Sequence, residues 1–225
     1  MWLTAPNRIG IASWQIEDSV WRYNISGDAV GPSVFISGSA VSLCHPNAQT
    51  LPALDEQFVR TNELHWSFSQ AEGNEFGYRL VVRPVEIPGW IATAKRVAFE
   101  WIVSVQTSLL DSHPTIDLVL PPSGGKSAKV MEFSDLGAMA FLTEIDDLRV
   151  AVILGGRDAP FTEVIPHDAG TRLRLFGQFL EKGVIRRARP WVLIERTPTS
   201  DGQPLDEQTL RNAAEALTAS PLPLN

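Results

Sequence analysis

The 225-residue sequence predicts an all-β fold: a large two-sheet antiparallel β-sandwich with one α-helix at the C-terminal end. Three observations predict it. Apolar residues alternate with polar ones along most of the chain, as half-buried strands require. Gly, Pro, Asn or Asp separates most of the alternating runs, supplying the backbone that tight turns need. About a dozen such runs are too many for one flat sheet, so two stacked sheets are expected.

The runs begin at Ile9–Trp14, continue with Trp21, Tyr23 and Ile25 alternating with Arg22 and Asn24, and then with Val34–Ser37. Leu64, Trp66 and Phe68 alternate with His65, Ser67 and Ser69; after a turn at Gly73–Asn74, Phe76, Tyr78, Leu80 and Val82 resume the pattern. That pair reads as a hairpin. From Val97 to Gln106 the chain puts Val97, Phe99, Trp101, Val103 and Val105 on one face and Glu100, Ser104 and Gln106 on the other, and its length marks a central strand. Further strands are expected at Ile116–Leu120, Lys129–Phe133, Ala138–Glu144, Leu148–Leu154, Leu173–Leu180, Val184–Arg187 and Trp191–Arg196. Gln49–Asp55 and PPSGGKS at 121–127 read as loops.

The tail departs from this pattern. Leu210, Ala213, Ala214 and Leu217 recur at helical spacing, with Pro204, Asp206 and Glu207 near the start where the helix dipole favours acids. One amphipathic helix over about 205–218 is expected against the body. No boundary or repeat divides the chain, so residues 1–225 form a single domain.

Composition limits function. A net charge of −7, with no run of five basic residues, disfavours a phosphate backbone as partner. No apolar stretch approaches the ~18 residues of a membrane span. The lone Cys44 has no internal disulfide partner, and MWLTAPNRIG lacks a secretory layout, so a reducing, cytoplasmic setting is expected. GGKS at 124–127 lacks the glycine that a phosphate loop needs at position 120, which is Leu, and a strand rather than a helix follows. His45, His65, His113 and His167 show no metal-site spacing, so neither a metal nor a cofactor is expected.

Several polar residues invite chemistry. His65 shares a strand face with Glu63, while Arg60 is one residue out of that phase and needs a bulge to join them. The face either binds a ligand, with His65 exchanging a proton, or is a solvated outer surface. In SLLDSHP, Asp111 lies two residues before His113, where a carboxylate can fix a histidine tautomer for base catalysis; an ordinary turn accounts for the pair as well. Glu100 and Glu195 each interrupt an apolar strand, where burial would raise the pKa toward the range of an acid or base; exposure at an edge, or pairing with an arginine, accounts for them equally well. Arg172, Arg174, Arg186, Arg187 and Arg189 fall close together in the chain, where two adjacent strands would align them for anion capture or leave them on a solvated face. Seven tryptophans provide aromatic faces for sugar rings; Trp66 and Trp101 read as core, whereas Trp90, in IPGW, and Trp14 are freer to meet a ligand.

The long antiparallel strands, His65 and His113 on or after successive long strands, and FGQFLEKGVIRRARPWVLIE at 176–195 together resemble the supersandwich of the galactose mutarotase-like superfamily. The resemblance implies a sugar on the concave face of one sheet. It also implies epimerase chemistry, in which a base takes the anomeric hydroxyl proton and an acid protonates the ring oxygen. In this chain, His65, His113 and Glu195 would fill those roles, Asp111 would orient His113, and Arg60, with Glu63, Trp90 and Glu100, would hold the sugar. The alternative is a non-catalytic β-sandwich that binds another protein through a strand edge or an apolar patch.

Overall fold

Side-chain alternation gives each strand one apolar and one polar face, and pairing the apolar faces of two sheets buries them together. The computed structural model describes residues 1–25, 30–36, 39–46, 51–122, 124, 127–167, 170–196 and 204–221. Among these, one antiparallel sheet runs, in spatial order, β1 (Trp2–Thr4), β2 (Ile11–Ile16), β3 (Ser19–Ile25), β4 (Val30–Ile36), β5 (Ser39–Cys44), β10 (Asp117–Leu120), β15 (Gly170–Arg174), β14 (Glu163–His167). The other runs β11 (Lys129–Phe133), β12 (Ala138–Ile145), β13 (Leu148–Leu154), β17 (Trp191–Arg196), β9 (Arg96–Gln106), β8 (Gly77–Pro84), β7 (Glu63–Phe68), β6 (Glu56–Arg60). A short β16 (Ile185–Ala188) pairs with the far end of β9, beyond the stretch that β17 occupies. The all-β sandwich with a C-terminal helix is the fold that alternation predicts.

The interior between the sheets is aromatic. Trp21, Tyr23, Trp66, Phe68, Phe99, Trp101 and Phe141 are fully buried there. Phe99 meets Tyr23 edge-on at 5.5 Å and Trp14 at 6.0 Å, geometries that the ring quadrupoles favour. The chain's tryptophans therefore go mainly to filling the sandwich. This corrects the expectation for Trp14, which packs half-buried against that core.

Three strands, β11, β13 and β17, have the expected bounds, and β9 the expected central place. Others differ. Leu173–Leu180 was expected as one strand, but β15 lies earlier and ends at Arg174; the later apolar residues Leu175, Phe176 and Leu180 are buried without joining a ladder, apart from a single bridge of Leu180 to Ser112. Gly177, at φ 154°, is where that segment adopts backbone a strand rarely uses. Ser37 and parts of both expected loops, at 49–50, 123 and 125–126, lie outside the described residues.

The helix α1 (Glu207–Ala219) starts where Asp206 accepts a hydrogen bond from the Thr209 amide at 2.9 Å, and it ends at Ser220 in extended backbone before Pro221. Its thirteen residues are too few to cross a membrane, and no helix among the described residues is long and apolar enough to do so. Leu210, Ala213, Ala214 and Leu217 pack on the outer face of the nine-stranded sheet, against Ala140, Ala151, Ile153 and Leu193. Alanines on both sides allow close approach. Gly155 extends it, because a Cβ there would lie 3.2 Å from the Leu217 side chain. The helix lies over β11, β12 and β13, and its cluster reaches Ala98 near the start of β9, so the outer face of β6–β8 and of the later part of β9 is left uncovered by it. We predict that Leu210→Ala, which removes a fully buried side chain from this contact, lowers unfolding free energy by about 2–5 kcal/mol in urea titration without loss of β-sheet circular dichroism; a change below about 0.5 kcal/mol would show that the helix adds little.

Candidate functional site

Register places three rows of side chains across the open face, each running from strand to strand. In the first, Arg60 on β6 lies directly opposite Glu63 on β7, and Arg83 on β8 opposite Glu100 on β9. Arg60 therefore meets Glu63 across a hairpin, with no bulge. In the second, Phe58, His65, Val81 and Ile102 are successive cross-strand partners. In the third, Glu56, Ser67, Arg79, Ser104 and Arg187 follow one another across β6, β7, β8, β9 and β16.

The first row is a chain of alternating charges. His65 Nε2 lies 3.1 Å from Glu63 Oε2, and Arg83 reaches Glu63 Oε1 at 3.4 Å and Glu100 Oε2 at 2.5 Å. Arg189 holds the other Glu100 oxygen, its Nε donating at 2.6 Å. Glu100 is fully buried, and both of its oxygens are engaged by guanidinium groups. Full burial rules out exposure at an edge, and pairing with arginine is found. Burying a carboxylate is costly unless it is fully hydrogen-bonded, and the two arginines meet that requirement.

Arg189 extends the network. Its amide donates to Asp158 Oδ2 at 2.8 Å, and its Nη2 donates to Ser220 Oγ, just past the helix, at 2.9 Å. Burial pushes the Asp158 carboxyl above its usual range, opposed by the bonds and charge of Arg189. His65 stacks on Phe58 with ring centres 4.5 Å apart. Burial pulls the His65 imidazole below its ordinary value, outweighing the nearby Glu63 carboxylate, which acts in the opposite direction.

Three clefts border this arrangement. One, of about 210 Å³, lies over the third row and is lined by Ser67, Ser69, Arg79, Ser104, Gln106 and Arg187, among others. A second, of about 340 Å³, lies on the other side of β16, lined by Arg157, Phe161, Phe176, Gln178, Arg186 and again Arg187. The third, of about 330 Å³, lies between Glu63, Arg83 and the end of α1 at Ala216 and Ser220. The combination of hydroxyl, amide and guanidinium groups in the first cleft suits a polar, many-hydroxyl ligand.

The other residues singled out in the sequence are placed elsewhere. Asp111 and His113 stand on the loop beyond Gln106, with side chains 75% and 59% exposed and Oδ1 and Nδ1 3.9 Å apart, too far for a hydrogen bond. Neither lines any of the three clefts. Glu195 is fully buried opposite Arg96, and its Oε2 accepts the Leu205 amide at 3.0 Å, fastening the approach to α1. Trp90 corrects the expectation of a loop residue free to meet ligand: it is 2% exposed and packs in the cluster beneath the helix. The C-terminal arginines do not form one cluster. Arg174 pairs with Asp117 and Glu163 on the eight-stranded sheet, whereas Arg187 and Arg189 serve the nine-stranded one. Arg79, Ser104, Arg157 and Phe161 were not singled out from the sequence; their signal is cross-strand register and a 3₁₀ turn at Ala159–Phe161, neither of which is visible before pairing is known.

No family model matches the chain, and no curated protein matches it. Among solved structures it is similar to the heparan sulfate lyase HepC from Pedobacter heparinus, at 9% identity and a TM-score of 0.48, over 88% of this chain and 38% of that one. It is also similar to heparinase III, the BT4657 gene product, at 10% identity and a TM-score of 0.45, over 88% of this chain and 36% of that one. The chain spans little more than a third of those proteins. Likeness at this level carries no argument about substrate or reaction.

The pKa of His65 tests the description of the open face. A lowered folded value means that the unfolded chain binds the proton more readily, so this group's contribution to stability is complete above about pH 6.5 and is lost as pH falls through the folded value. We expect the His65 ring-proton NMR titration to have its midpoint below about 6.5, and Glu63→Gln to lower it further by removing the carboxylate that favours the charged ring; a midpoint at or above the free value contradicts the burial described.

Proposed function

We propose that this protein binds carbohydrate on the open outer face of its nine-stranded sheet, with the sugar seated in the cleft over Ser67, Arg79, Ser104, Gln106 and Arg187. The observation that carries the reading is the row itself. On adjacent strands it sets a hydroxyl between two guanidinium groups, and sugars are held by such planar donors placed in fixed register. The tryptophan faces invoked from sequence give no support, because Trp90 is buried and Trp14 packs on the core. The aromatic surface offered on this face is Phe58, stacked on His65.

Mutarotase-type turnover is the finer form of this reading. It needs a proton acceptor and a proton donor at one sugar. His65 and Glu63, in hydrogen-bond contact and with the imidazole pKa lowered, are the pair on which such turnover would rest; they stand on the rows next to the cleft and do not line it, so turnover would require the sugar to reach past Ser67 to His65. Glu195 would act only through the backbone it fastens, and Asp111 and His113 from the loop past the end of the cleft. The exposed Phe58 and Val59 on the edge strand β6 favour a second reading, a protein-docking domain that pairs along that edge.

Saturation-transfer difference NMR against a panel of monosaccharides separates these readings. Carbohydrate binding predicts ring-proton signals that fall several-fold in Arg79→Gln and persist in His113→Ala. No signal with any sugar would favour the docking domain. Loss in His113→Ala but not in Arg79→Gln would move the site to the loop.

A further inference from the structure

The two clefts beside β16 differ in their walls but share Arg187. Two exposed arginines stand on either side of it, Arg79 in the smaller cleft and Arg157 in the larger, and Arg186, also in the larger, bonds Gln178 Oε1 at 3.1 Å. Neither Arg79 nor Arg157 has a carboxylate at ion-pair distance among the described residues. The one acid lining either cleft is Asp158, which accepts the Arg189 amide; Glu56 and Asp55 stand at the rim of the smaller cleft, engaged by Ser67 Oγ and the Ser69 amide. In a chain of net charge −7, this is a local reversal of sign. At the mouth of the larger cleft, Phe161 is 63% exposed, so a large apolar ring is held in water beside guanidinium groups.

We infer that the two clefts form one elongated groove for an anionic sugar chain, its carboxylate or sulfate groups held by Arg79, Arg187 and Arg157 and one ring stacked on Phe161. The inference rests on the carbohydrate reading and adds the ligand's charge and its length. Guanidinium groups pair bidentately with planar and tetrahedral oxyanions, so spaced arginines select for repeating negative charge. The cleft of about 210 Å³ is below the size that takes a drug-sized ligand and that of about 340 Å³ is near its lower end, and they lie on the two sides of Arg187, so an occupant that uses both has to be extended. The aromatic face supplies a stacking surface for the C–H side of a ring, which charge alone does not provide. Binding of this kind weakens as salt rises, because the arginines at both ends are exposed.

Calorimetric titration of the full chain tests this with four probes: a galacturonate hexamer, a sulfated glucose hexamer, neutral maltohexaose and hexaglutamate. We expect one or both anionic sugars to bind at least about tenfold more tightly than maltohexaose and hexaglutamate, Arg187→Gln to weaken them about tenfold, and Phe161→Ala to weaken the hexamer severalfold while leaving the corresponding disaccharide unchanged. The two anionic sugars separate carboxylate from sulfate recognition. Phe161 and Arg157 are surface residues, so Phe161→Ala and Arg157→Gln keep the test open if Arg187→Gln fails to fold. Equal binding of maltohexaose would overturn the anionic inference and leave the carbohydrate reading standing. Equal binding of hexaglutamate would show a site that reads charge without sugar. No binding of any sugar would overturn both.

Discussion

The buried carboxylate of Glu100 is the point from which the open face is organised. It lies at zero exposure on the central strand β9, and its two oxygens hold Arg83 on one side and Arg189 on the other. Each arginine passes the constraint on. Arg83 fixes Glu63, which holds His65; Arg189 fixes Asp158, at the start of the 3₁₀ turn that carries Phe161, and also Ser220 at the end of α1. One desolvated charge thus ties together the polar row, the wall of the larger cleft and the edge of the helix. Removing one partner of such a group typically costs about 3–5 kcal/mol, because a charge is left buried and unpaired.

The covering helix accounts for where the face is open. The nine-stranded sheet presents its inner side to the aromatic core and its outer side partly to α1, whose small residues fit the alanines of β12 and β13. Helix coverage ends at Ala98 on β9, and beyond it the outer positions change from Leu193 and Ala98 to Glu100, Arg83, Ser104 and Arg79. The polarity of the face follows the helix boundary. Antiparallel sheets accept this division readily, since one face can be wet along part of its width and dry along the rest.

Legibility in the sequence followed the same physics. The strand from Val97 to Gln106 was readable because five apolar residues face one dense core, and β11, β13 and β17 were readable because turn residues flank them. β1, β5, β6 and β14 were missed: β1, of three residues, is too short to show a period, β5, SAVSLC, is too small and polar, and β6 and β14 are short strands at the sheet edges. Arg60 was placed out of phase because one strand was assumed where a hairpin brings two together. The tryptophan count suggested ligand stacking, yet the interior of a broad sandwich needs large rings to fill it, and inward register took Trp21, Trp66 and Trp101 there. His65 and Glu63 share a face by alternation alone, and the structure brings them into contact. The pairing of Glu100 with Arg189, 89 positions along the chain, depends on strand order, which no local pattern encodes.

The most direct test of this account is the two-dimensional amide NMR spectrum of Glu100→Gln, which keeps the shape and removes the charge. If Glu100 organises the open face, shifts spread beyond its strand neighbours to His65, to Asp158 and Ala159, and to Ser220, while Leu43 and Leu118 of the opposite sheet stay in place. Changes confined to residues adjoining position 100 would contradict it.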